Sequence, residues 1–104
     1  MRTAFKSLYD ARSFAEAAAK LRPLLTTCAP VLPWLDAGWI RNDLALTEFK
    51  LGDRSACLVT LARLAADAAL SDDGLHEKYP PADFDDYFPI VKAARANLAL
   101  CKRR

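Results

Sequence analysis

The sequence predicts an all-α fold of about five helices: two antiparallel helical hairpins closed by a C-terminal capping helix, within one domain spanning 1–104. Three observations point there. The chain is 53% hydrophobic and rich in alanine and leucine with only 3 glycines, which favours long helices over a turn-rich β-sandwich. Apolar residues recur at helical spacing, and no segment alternates with period two for long. The chain also echoes itself: RNDLALTEFKLGD, from Arg41, returns as RANLALCKRR, from Arg95.

An amphipathic opening helix takes in Phe5 to Tyr9. The next helix has Ser13 and Glu16 as a capping box and Phe14, Ala17, Ala18, Leu21, Leu24, Leu25 and Cys28 on one face. Pro23 should end or kink it early, because proline removes a backbone donor. Thr26–Gly38, with Pro30 and Pro33, reads as a connection. A second helical pair follows at roughly 37–51 and 53–70, with Cys57, Leu61, Leu64, Ala65 and Ala68 as the apolar stripe of its second member. Ser71–Ala82 reads as a polar loop stopped by Pro80-Pro81. The last helix, about 84–102, buries Val91, Ala94, Leu98 and Cys101, with Pro89 near its first turn and Asp83 as a candidate N-cap.

Self-comparison explains the echo. At an offset of 40, Tyr9 aligns with Phe49, Ala17 with Cys57, Leu21 with Leu61 and Leu24 with Leu64; at 54, Arg41, Leu44, Ala45 and Leu46 align with Arg95, Leu98, Ala99 and Leu100. Leu44-Ala45, Gly52, Cys57, Leu61 and Leu64 resemble the tetratricopeptide (TPR) pattern, in which small residues let antiparallel helices approach and glycine makes the turn. Phe14, Ala17, Leu21 and Leu24 fit the first copy, with Arg12 where Gly52 stands in the second, and the third copy has only its first helix. The spacings of 40 and 54 exceed the family period of about 34 residues, which implies insertions at Thr26–Asp36 and Ser71–Asp86. Stacked hairpins of this kind share a core that no single hairpin could build.

The resemblance implies a non-catalytic protein- or peptide-binding module whose concave groove is lined by the first helix of each pair. The groove positions it assigns are Arg2, Lys6 and Tyr9 in the first copy, Trp39, Asn42, Leu46, Phe49 and Lys50 in the second, and Leu100 and Arg103 in the third, with Lys6, Tyr9, Trp39, Asn42, Leu46, Phe49 and Lys50 as the contact surface. Such a mixture of basic and aromatic side chains suits an extended peptide or an acidic protein segment. The paired Lys and Asn of the carboxylate-clamp members are not reproduced, since Asp43 falls where Asn is wanted. The competing expectation is that Tyr9, Leu46 and Phe49 are simply core.

Two other functional readings compete. Residues 67–90 carry a local charge of −6 and 91–104 a local +5. The acidic 71–88 loop, with Tyr79, Phe84, Tyr87 and Phe88 as anchors, suits an inhibitor or immunity-type protein that plugs a partner's cleft. A self-associating homodimer through Trp34 and Trp39 is the other. The net charge of +2 is too small to argue for nucleic acid, and no apolar run approaches the roughly 20 residues of a membrane span. No signal segment follows Met1, so a native start predicts a cytoplasmic chain, whereas a Met1 that replaced an export signal predicts a periplasmic or secreted one.

Cofactor and enzyme chemistry gain little. The loop acids lack the ligand order of a calcium loop, and three cysteines with His76 lack the local pairs of a zinc site, so no metal or cofactor is expected. There is no nucleophile elbow, phosphate loop or converging acid–base set, and no enzyme is predicted. Cys57 and Cys101 both fall on core faces and form a candidate disulfide, with Cys28 as an alternative partner and small buried thiols as the plain outcome.

Overall fold

The computed structural model describes residues 14–27 and 32–102. Among them are five helices and no strand: α1 (Phe14–Thr26), α2 (Trp34–Lys50), α3 (Arg54–Ala68), α4 (Asp72–Lys78) and α5 (Pro81–Lys102). The predicted opening helix, Ser13 of the capping box and Cys28 lie outside the described residues.

The all-α expectation holds, but the inventory shifts. The segment expected as an acidic loop at 71–88 is helical over most of its length. Ser71 caps α4 by accepting from the Gly74 amide at 3.0 Å, and Leu75, 1% exposed, pins the short helix to the core. One apolar anchor in so short a helix leaves no period to read. Pro80-Pro81, expected as the stop of that loop, instead leads into α5. Pro81 is its first residue, where no amide is needed, and the Pro80 carbonyl accepts from Asp83 and Phe84. Asp83 is therefore inside the first turn and is not the cap. Pro89 then falls well inside α5, and α1 likewise runs through Pro23 to Thr26. Both prolines are exposed, so water can serve the carbonyls that lose their donors. The connection before α2 is also shorter than expected, because Trp34–Asp36 already belong to the helix.

α2 and α3 form an antiparallel hairpin closed by Gly52 at φ 83°, as the sequence predicted. The Gly52 amide bonds the Phe49 carbonyl and the Asp53 amide the Glu48 carbonyl, a Schellman closure. Asp53 then caps α3 by accepting from Ala56 at 3.0 Å.

α2 is the shared element. Ile40 and Leu44 face Ala17, Ala18, Leu21 and Leu24 of α1 in one apolar cluster. Ala45, one residue on, enters a larger cluster with Cys57, Leu61 and Leu64 of α3 and Ile90, Val91 and Ala94 of α5. Each buried leucine there contributes about 1.5–3 kcal/mol. α2 and α5 run side by side in the same direction, with Gly38 against Ile90 and Asn42 against Asn97. Gly38 permits the approach, since a Cβ there would meet Ile90 Cγ2 at 2.9 Å. The two echoed segments are thus neighbours in space. Cys57 and Cys101, 6.2 Å apart at Cα, are joined as the candidate disulfide and tie the start of α3 to the end of α5.

Candidate functional site

A cleft of about 470 Å³ is walled by parts of α1, α2, α3 and α5. From α2 come Trp34, Ala37, Gly38 and Arg41, which share one face because i, i+3, i+4 and i+7 align on a helix. From α3 come Arg63, Leu64 and Asp67; Tyr79, Asp83 and Tyr87 complete the wall.

Asp67 is the hub. Its Oδ1 accepts from Lys78 Nζ at 2.5 Å, and its Oδ2 accepts from the Tyr79 and Tyr87 hydroxyls at 2.6 Å each. Burial pushes the Asp67 carboxyl up, but the three hydrogen bonds and the Lys78 charge outweigh it and hold it below the usual carboxylate range. Burial, then donation to Asp67, raises both tyrosines. The hydrogen bond to Asp67 raises Lys78. This network fastens the link between α4 and α5 onto α3.

The same tyrosines seat Trp34. Its ring stacks on Tyr79 at 6.2 Å and 9° and tilts against Tyr87 at 4.9 Å and 51°, yet 48% of the residue stays exposed. Trp34 is thus an aromatic surface fixed in orientation at the cleft.

Arg41 and Arg63 behave differently from the other basic groups around them. Lys78 has Asp67, and Arg22 has Glu48 at 3.4 Å. Arg95 donates to the Ala68 and Leu70 carbonyls and to Asp72 Oδ1 at 3.2, 2.7 and 2.9 Å, closing the end of α3. Arg41 aligns with Arg95 at the 54-residue offset, and neither it nor Arg63 has a hydrogen-bond or ion-pair partner among the described residues. Both line the cleft and also an adjoining hollow of about 300 Å³.

None of the described groove residues expected from the sequence, Trp39, Asn42, Leu46, Phe49 and Lys50, is among the residues that line this cleft. Lys6 and Tyr9 lie outside the described residues, as do Arg2, Arg12 and Arg103. Trp39 and Phe49 pack half-buried against the larger core cluster, Leu46 is half-buried and Lys50 is exposed in the last turn of α2. Asn42 does not face outward. It is 3% exposed, donates to the Ile90 carbonyl at 3.1 Å and accepts from Asn97 at 3.0 Å, because α5 lies on the α2 face that carries it.

The proposed loop anchors are corrected in the same way. Phe84 and Tyr87 are 7% and 5% exposed and belong to the core, while Tyr79 and Phe88 are half-buried. His76 stacks on Phe84, at 3.6 Å between ring centroids, instead of facing the acids beside it. What sequence reasoning missed is Arg41, Arg63 and Asp67. The 54-residue offset did align Arg41 with Arg95, but only tertiary structure shows that their partners differ.

Among the described residues no three His, Cys, Asp or Glu side chains gather closely enough to hold a metal ion. No helix among them is long and apolar enough to cross a membrane. No protein-family model matches the chain, and no curated protein or solved structure matches it.

Proposed function

We propose that the chain is a non-catalytic protein- or peptide-binding module, built as a TPR-like helical array, with the Trp34 cleft as its contact surface. The array reading is supported by the parallel, neighbouring placement of the echoed helices, by the Gly52-closed hairpin between them and by α1 packed antiparallel on α2. The observation that carries the binding reading is Trp34. A large aromatic surface left half in solvent, while two tyrosines lock its orientation, loses little conformational freedom when a partner covers it. The titratable groups beside it are moved away from neutrality, Asp67 downward and the tyrosines upward, which suits fixed recognition better than proton transfer.

A peptide array probed with the wild-type chain and with Trp34→Ala tests this. A discrete set of peptides should bind the wild type and be lost with the variant, while far-UV circular dichroism stays the same. Absence of sequence-selective binding, or binding indifferent to Trp34→Ala, would overturn the reading.

A further inference from the structure

The cleft places two guanidinium groups side by side, Arg41 half-buried on α2 and Arg63 exposed on α3, with no acid paired to either among the described residues. Of the carboxylates around the two arginines, Asp67 and Glu48 are already engaged, while Asp83 stands on the opposite, α5 wall. Asp67 is held by Lys78, Tyr79 and Tyr87, and Glu48, in the adjoining hollow, accepts from Thr60 and Arg22. Burial, and next the charge of Arg63, lower the Arg41 guanidinium from its ordinary value. Two like charges are therefore held together at a partly desolvated site, and neither is ion-paired to a carboxylate among the described residues.

The repeat supplies an internal comparison. Arg95 stands at the equivalent position of the parallel helix and satisfies three acceptors of its own fold. Arg41 satisfies none among the described residues. The stabilising role is filled at one copy and vacant at the other, and the vacant copy opens onto the cleft beside Trp34.

Resting on the binding-module reading, we propose that Arg41 and Arg63 together receive a carboxylate of an acidic peptide segment, with an adjacent apolar side chain of that segment laid on Trp34. Guanidinium forks match carboxylates in planar geometry and give the stronger, charge-assisted class of hydrogen bond. Asp83, which lines the cleft from α5, repels an acid on its side and so favours placing it against the α2–α3 wall. Trp34 selects a peptide over a bare anion, because the ring offers apolar area that an inorganic ion cannot cover.

Fluorescence anisotropy with three labelled peptides tests the assignment: alternating Glu and Leu, its Gln–Leu counterpart and its Lys–Leu counterpart, with oligothymidine as a fourth probe. The Glu–Leu peptide should bind tightest and weaken with salt. Arg41→Gln and Arg63→Gln should each weaken it about tenfold, as expected for loss of a charge-assisted contact. Arg41→Gln should not lower the melting temperature, since no bond among the described residues is lost. If Glu–Leu and Gln–Leu bind equally and both depend on Trp34, the module reading survives and the carboxylate assignment is overturned. Tighter binding of oligothymidine overturns the peptide class. Failure of all three peptides to bind overturns the module reading with it.

Discussion

Asn97 donates from Nδ2 to Asn42 Oδ1 at 3.0 Å, a side-chain hydrogen bond between two helices that share the Arg-x-x-Leu-Ala-Leu spacing. Asn42 in turn donates to the Ile90 carbonyl of α5 at 3.1 Å and to the Gly38 carbonyl of its own helix at 3.3 Å, so Asn42 holds α5 against α2 through two α5 residues, Ile90 and Asn97. Its polar atoms sit between helices where few alternatives exist, with Asn42 3% and Asn97 9% exposed.

Breaking this seam should therefore destabilise the fold. Asn42→Ala leaves Asn97 without its side-chain acceptor, and a loss of about 1–3 kcal/mol is expected. Asn97→Ala should cost about the same, and the double variant less than the sum, because the shared bond is lost only once. Urea titration of the four chains measures the coupling; strictly additive losses would show that the two side chains do not act as a pair.

The Asp67 network sets a pH dependence with a definite sign. Asp67 is lowered in the folded state, so its contribution is present above the ordinary carboxylate value of about 3.9 and fades as pH falls through the lower folded value. Tyr79 and Tyr87 are raised, so theirs is present below about 10 and is lost as pH rises beyond it. Melting temperature should hold a plateau between these limits and decline at both ends. Asp67→Asn should lower that plateau by the equivalent of about 1–3 kcal/mol and flatten the acid limb; an acid limb identical to wild type would remove Asp67 as its source.

The Cys57–Cys101 bridge spans 44 residues and joins the start of α3 to the end of α5. Loop-closure entropy for such a span suggests a stabilisation of about 3–4 kcal/mol. Reduction with dithiothreitol, or Cys101→Ala, should lower the denaturant midpoint accordingly. The Trp34 site should persist under mild reduction, because its Tyr79 and Tyr87 contacts do not involve either cysteine. An unchanged midpoint on reduction would show that the bridge carries no stability.

The sequence by itself determined the helices whose apolar residues recur over many turns. Ala17, Leu21 and Leu24 in α1, Cys57, Leu61 and Leu64 in α3, and Val91, Ala94 and Cys101 in α5 all went where their spacing predicts, and Gly52 made the turn. Burial at helical period is a local property, legible one segment at a time. It did not reveal α4, whose single anchor Leu75 makes no period. It also misplaced Asn42, whose exposure depends on what lies across α2 and not on α2 itself. The cleft belonged to tertiary structure entirely. Arg41 and Arg95 read alike along the chain, and only the packing of α5 on α3 gives Arg95 its acceptors, while Arg41 lines the cleft with Trp34 and has no such acceptor among the described residues. Electrostatic pairing is decided by groups far apart in sequence, and that is information a repeat cannot carry.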